Sequence, residues 1–348
     1  IMLVSGKTET PRITVNQTAA VAQIDWTGES GFSVANGQTV EFVQPTAGAA
    51  AYNFVYDPDR MASAAGRSNV DGTLVSNGQV FLINEKGIDF GAKADVVASN
   101  FVASGLGINP DVVTTGLLSQ DGVSKRTFYL KKDQFVAATE AALPAVRDAA
   151  LAAFREATVN VAAGAIISSA ENGFVILAGS RIDQAGAITT PRGQTVLAAG
   201  ADVYLKPPYS AVLRGFTAEV NPLYVVNGWN AGKWQAISRG ADANSITQSG
   251  TISSPFGDIA LVASDIVQAG TLSASTSVTS NGSIHLAARD QVADKGLADD
   301  KALADGYIRK RDIQSGKILP IDAVVDGENE SILTGLTGGR LTLAAGSK

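Results

Sequence analysis

The side chains that could do chemistry are few and scattered. The 348 residues include one histidine, His285, and no cysteine. Thiol catalysis, thiolate metal sites and disulfide staples are therefore excluded, and so are multi-histidine metal centres. His285 is the sole histidine a Ser–His pair could use. It lies between Ile284 and Leu286 in an alternating run that turns it outward from a strand, and no serine or aspartate partner is recognisable. Acid–base work by paired carboxylates would fall to Asp57/Asp59, Asp258/Asp265, Asp299/Asp300 or Glu328/Glu330. Asp57 and Asp59 flank Pro58 and read as turn residues. Asp299 and Asp300 sit in a polar run that reads as a solvated face, and Asp326-Gly-Glu328-Asn-Glu330 lacks the spacing of a calcium loop. The glycine-rich stretch Gly335–Gly339 has no lysine and no strand-to-helix setting, so it reads as a turn and not a phosphate cradle. Arg309-Lys310-Arg311 is a short basic patch in an acidic segment and reads as salt-paired. No catalytic residue, cofactor or metal is expected, and the chain does not read as an enzyme.

Bulk properties narrow the partners. Twenty-seven basic against 33 acidic residues give a net charge of −6, the wrong sign for a general nucleic-acid binder. No apolar run reaches the roughly 18–20 residues of a membrane-spanning helix, so the protein is not expected to be membrane-embedded. Apolar residues make up 45% of the chain but only 22 residues are aromatic, so the core must be built mainly from Val, Ile, Leu and Ala.

The elements that position these residues announce themselves as a repeat. Glycine, any residue, an aliphatic or β-branched residue, any residue, then leucine recurs at Gly78–Leu82, Gly173–Leu177, Gly193–Leu197, Gly257–Leu261, Gly282–Leu286 and Gly339–Leu343. The i, i+2, i+4 spacing puts the apolar pair on one strand face, with glycine at the corner before it. A second pattern, Gly164-Ala-Ile166, Gly186-Ala-Ile188, Gly250-Thr-Ile252 and Gly270-Thr-Leu272, alternates with the first. Starts lie 22 residues apart between Gly164 and Gly186 and 20 apart between Gly250 and Gly270. That period describes one coil of a β-solenoid, with an interior narrow enough to favour aliphatic side chains over rings. A β-sandwich also has many short strands, but gives no reason for glycine and leucine to keep one offset. The prediction is an all-β chain, a β-solenoid.

Three excursions break the period. Residues 124–160 combine a strand-like Phe128–Lys132 with a short α-helix, whose Leu143, Val146, Ala150, Leu151 and Phe154 share one face. Residues 204–245 hold Tyr204, Tyr209, Tyr224, Trp229 and Trp234, the best candidate ligand surface, although the simpler reading is that these rings pack the excursion onto the solenoid wall. Residues 289–335 are charge-rich and read as a surface excursion. Sequons at Asn16, Asn281 and Asn329 are no more than chance supplies in so Asn-, Ser- and Thr-rich a chain.

The first third carries a more specific signal. Ile13-Thr-Val-Asn16-Gln17-Thr18 leads to Ala22-Gln-Ile24-Asp25-Trp26, then Phe32-Ser-Val34, Gly37-Gln38-Thr-Val-Glu41-Phe42 and Gln44-Pro45. Ser76-Asn77-Gly78-Gln79-Val80-Phe81-Leu82-Ile83-Asn84 and Gly87-Ile88-Asp89-Phe90-Gly91-Ala92 follow. In order and spacing these pieces resemble the secretion domain of two-partner secretion exoproteins, of the filamentous-haemagglutinin and high-molecular-weight-adhesin type. The resemblance covers roughly the first 120 residues, and the later coils are similar to the repeats that follow in such proteins. It implies a right-handed parallel β-helix with N-terminal cap strands, here Ile13–Trp26, and extra-helical excursions. Residues 1–120 would be the cap and secretion domain, and 121–348 continuing coils.

The family commonly reads Asn-Pro-Asn-Gly where this chain has Asn84-Glu85-Lys86-Gly87, and its second turn motif corresponds to Asp57-Pro58-Asp59-Arg60. Asn84 and Gly87 still supply a side-chain cap and a residue tolerant of positive φ. The resemblance further implies export from a Gram-negative cell through the periplasm after signal-peptide removal. The partner would be the POTRA domains of a TpsB-type outer-membrane transporter, and the chain would fold at the cell surface as a monomeric, secreted or displayed adhesin. A host receptor or an extracellular polysaccharide would be its ligand. The alternative functions are capture of a haem carrier such as haemopexin on the same scaffold, or a carbohydrate-active β-helix enzyme.

Overall fold

The computed structural model describes residues 11–27, 31–55, 66–118, 126–130, 143–206, 215–221, 224–230, 233–239, 244–274, 282–288 and 339–348. Among these, three long parallel sheets run the length of the molecule, with eight, eight and seven strands. The chain visits them in rotation. Thr73–Ser76 lies in the first sheet, Gln79–Ile83 in the second and Ile88–Phe90 in the third; the next coil repeats this with Asp95–Ala98, Asn100–Ser104 and Thr158–Val161. The result is a parallel β-helix with three strands per coil.

Stacking holds equivalent residues in register. Val175 pairs with Thr195 and Leu177 with Leu197; Thr195 pairs onward with Ile259 and Leu197 with Leu261. These side chains are fully or almost fully buried in the interior, beside Ile188, Ile252, Ile182, Ile246 and Ile266 from the other two sheets. The recurrent glycine has a steric reason: a Cβ at Gly193 would overlap the carbonyl oxygen of Gly173 one coil below.

Five of the six glycine-to-leucine repeats occupy the second sheet; the sixth does not. Arg340–Leu343 pairs with Asp265–Gln268 in the third sheet. Conversely, Asn100–Ser104 is a second-sheet strand without glycine or leucine, its Phe101 stacked between Val80 and Val175 and its Ala103 between Leu82 and Leu177. A large ring beside a small methyl conserves volume there. In the second pattern Gly164 is offset by one, so that Ile167, not Ile166, pairs with Ile188 inside and Ile166 is 48% exposed. The interior also holds rings in the early coils, namely Phe32, Phe42, Phe90 and Phe101.

At the N-terminal end, Arg12–Asn16 and Val21–Trp26 close the solenoid by adding parallel edge strands to the first and second sheets. Trp26 packs edge-on to Phe32 at 5.0 Å, and its Nε1–H donates to Asn53 Oδ1 at 2.9 Å.

Excursions leave from one corner, between the second and third sheets. Residues 105–157 depart after Asn100–Ser104, and 200–244 after Gln194–Ala199. They build a four-stranded sheet and two helices, α1 (Pro110–Thr115) and α2 (Leu143–Glu156). The alternate residues of the second sheet, Phe81, Val102, Ile176 and Val196, point outward into a second apolar core with Ile108, Phe128, Phe154, Val203 and Val220. The charge-rich segment 289–335 lies outside the described residues.

Candidate functional site

The turn Asn84–Gly87 sits at that same corner, joining Gln79–Ile83 to Ile88–Phe90. Asn84 is 2% exposed, and its side chain both caps the turn and ties it to the preceding coil. Its Oδ1 accepts from Lys86 N–H at 2.9 Å, and its Nδ2 donates to Gly66 O and Ser68 Oγ, both at 2.9 Å. Gly87 N–H donates to Asn84 O at 2.8 Å, and Gly87 takes φ +97°, a region costly for any residue with a Cβ. With Glu85 where the family commonly has proline, the turn is held by the Asn84 side chain and the positive φ of Gly87.

Arg67 ties this turn to distant chain. Its Nε and Nη2 clasp Asp89 at 2.6 and 2.7 Å, and Nη1 donates to Lys86 O and Glu156 O, both at 2.9 Å. Nη2 also donates to Thr158 Oγ1 at 3.0 Å, so all five guanidinium protons find acceptors. The carbonyl of Glu156 belongs to the C-terminus of α2, where a cation is favoured by the helix dipole. Lys86 Nζ pairs with the Glu156 carboxylate at 2.6 Å. Burial opposes ionisation of Asp89, but the hydrogen bonds from Arg67 and Asn160 outweigh it and hold the carboxyl below its ordinary range.

Sequence reasoning missed Arg67, Asp89 and Glu156 as parts of this site. Arg67 and Glu156 lie too far from the turn for a local motif, and Asp89, two residues past Gly87, has its partner Arg67 22 residues away. The second turn motif, Asp57-Pro58-Asp59-Arg60, lies outside the described residues.

The aromatic candidates separate. Tyr204 is 8% exposed, so it packs the excursion and offers no free ring. Tyr209 lies outside the described residues. Tyr224, Trp229 and Trp234 fall in the two-stranded hairpin Tyr224–Asn230 and Lys233–Arg239, where Trp229 and Trp234 are cross-strand partners. Asp258 is a local link, accepting from Ser283 N–H at 2.9 Å and Ser283 Oγ–H at 2.6 Å, and Asp265 lies 3.7 Å from Arg340. His285 is exposed on the outer face of its strand, as its alternation predicts. Asn16 is exposed, while Asn281, Asn329, Asp299, Asp300, Glu328 and Glu330 lie outside the described residues. Among the described residues no helix is long and apolar enough to cross a membrane.

A three-sided parallel β-helix, with a polar turn fastened at one corner, places the molecule among the β-solenoids. Residues 5–119 match the family described as the TPS secretion domain. The N-terminal third of the chain is therefore similar to two-partner secretion domains, a family that is not one of enzymes. The fold is similar to that of the HMW1 secretion domain of Haemophilus influenzae, with a TM-score of 0.53 and 22% identity over 80% of this chain and 59% of that one. Two heme/hemopexin-binding proteins of Haemophilus influenzae are similar in sequence. One is 30% identical over 93 residues, 27% of this chain, and the other 31% identical over 98 residues, 28% of it. The matches span only 9% and 10% of those relatives' own lengths.

Proposed function

We propose that the chain is the N-terminal portion of a large Gram-negative adhesin, secreted or displayed at the surface. Its first coils would be read by the POTRA domains of a TpsB-type outer-membrane transporter. The chain crosses the periplasm after signal-peptide removal, reaches the surface unfolded and closes coil upon coil as a monomer, with no catalytic role. The observation that carries this reading is the match of residues 5–119 to the secretion family, with the Asn84–Gly87 turn inside it. A chain built by nearest-neighbour stacking suits vectorial folding, because each coil needs only the one before it. The β-helix runs on beyond residue 120 in the same sheets; in this reading 1–120 would serve export and 121–348 would be continuing coils. Deleting residues 12–120 should abolish export; normal secretion of that variant would refute the assignment.

A second reading is haem-carrier capture, favoured by the heme/hemopexin-binding names of both curated relatives. The hairpin bearing Trp229 and Trp234 is the docking candidate. A serum pull-down compared with a chain lacking residues 224–239 tests it, and no haemopexin retained at micromolar concentration would reject it.

A further inference from the structure

In the first described coils, the corner between the first and second sheets is held by one buried side chain, Gln44. Gln17 and Gln44 follow the first-sheet strands Arg12–Asn16 and Thr39–Val43, and Ser76 ends the next one, Thr73–Ser76. Gln44 joins all three coils. Its Nε2 donates to Gln17 Oε1 at 3.0 Å in the coil before, to Ala49 O at 2.9 Å in its own coil and to Gln79 O at 3.2 Å in the coil after. Its Oε1 accepts from the Ser76 hydroxyl, and the Asn77 carboxamide holds its backbone N–H and C=O at 2.7 and 2.8 Å. Gly78 leaves the room this needs, since a Cβ there would collide with Gln44 Oε1. The partners in the neighbouring coils lie 27 to 35 residues from Gln44, all inside the matched segment 5–119. Later in the chain a second buried amide also links three coils: Gln248 Nε2 donates to Gln184 Oε1 at 3.1 Å, and Gln248 Oε1 accepts from Gly270 N–H at 3.2 Å. The two differ in what precedes them. Gln248 closes onto coils formed earlier in the chain, whereas Gln44 closes onto the cap strands themselves. Until Ser76–Gln79 arrives, a buried Gln44 lacks part of its partners. A buried amide in that state is costly, so these three coils close together.

We propose that Gln44, with Gln17, Ser76 and Asn77, forms the folding nucleus of the exported chain. Once residues 17–79 have emerged at the cell surface, its closure gives later coils their first template and keeps the emerged segment from sliding back. Gln44 is a positioning residue: it acts on folding after passage and touches no partner. The inference rests on the reading that the chain crosses unfolded and folds at the surface.

The test compares Gln44→Met with Gln248→Met in the full chain, since methionine keeps the length of the side chain and removes its hydrogen bonds. Both should lower the urea midpoint. Gln44→Met should refold about tenfold more slowly than the parent and unfold within about twofold of its rate, and Gln248→Met should do the reverse. A merely structural amide at residue 44 would behave as Gln248 does. Ser76→Ala removes one bond to Gln44 Oε1 and should slow refolding by a smaller factor, which keeps the test open if Gln44→Met does not fold. In cells carrying the cognate transporter, pulse-labelled Gln44→Met chain should reach the medium several-fold more slowly than the parent, and Gln248→Met at the parent's rate. Parent-like refolding of Gln44→Met and Ser76→Ala would overturn the nucleus, and slow refolding with parent-like export would overturn its part in export. Parent chain that becomes protease-resistant in the periplasm before export would instead overturn the surface-folding reading beneath it, whatever the refolding rates.

Discussion

Replacing Arg67 with methionine probes the corner most sharply, because methionine keeps the aliphatic stem and removes every donor. Five hydrogen bonds are lost, two of them to Asp89, and the side chains of Arg67 and Asp89 are 25% and 33% exposed. At about 1 kcal/mol for each neutral acceptor, with the partly exposed ion pair adding about 1 kcal/mol more, the loss is roughly 3–4 kcal/mol. Urea unfolding followed by far-UV circular dichroism should show the midpoint fall accordingly. Amide exchange should quicken first at residues 84–90 and 156–160. The effect has a defined pH dependence. Despite its burial, Asp89 is held below its ordinary range by Arg67 and Asn160, so its contribution is present above the unfolded carboxyl pKa. That contribution is lost as pH falls through the lower, folded value, and the gap between parent and variant should narrow there. A change below about 0.5 kcal/mol at neutral pH, or a gap that widens on acidification, would refute the clasp as a stabilising element.

Other perturbations test the solenoid. Leu197→Ala removes a fully buried side chain from the stacked interior and should cost about 2–5 kcal/mol in the same unfolding assay. Gly193→Ala should prevent native stacking, since its methyl would overlap the Gly173 carbonyl; Gly116→Ala, where nothing lies within 4 Å but φ is +86° and ψ 175°, should cost about 1–3 kcal/mol through backbone strain alone. Burial pushes the Tyr52 phenol up to about 12. Its stabilising effect is therefore complete below the unfolded value near 10 and is lost as pH rises toward 12; an ultraviolet titration should lose that late step in Tyr52→Phe. Arg12→Ala should leave stability within about 0.5 kcal/mol, because the Arg12–Glu41 pair is open to solvent.

The coils were legible in the sequence because close stacking demands the same small residue at the same corner each time. The pattern did not carry the identity of its sheet. Inward and outward residues alternate alike on all three sides, which is why Gly339–Leu343 reads as one more second-sheet strand while it pairs in the third. Asn100–Ser104 escaped because Phe101 and Ala103 fill the interior with a different division of volume. Helix α2 was visible through its 3.6-residue period, with Phe154 on the buried face as expected. The turn residues Asn84 and Gly87 stood out through their local roles. Arg67 did not, because its partners lie 19 to 91 residues away and only the coil geometry brings them together.

The central claim is that the first coils form an export signal read by a dedicated partner. The most direct measurement is the amount of full-length chain reaching the medium from cells carrying the cognate transporter, compared with cells whose transporter lacks its periplasmic domains. Export that requires those domains, and that falls when the Asn84–Gly87 turn is replaced by a glycine-serine linker, is the predicted result. Equal export from both cells would contradict it.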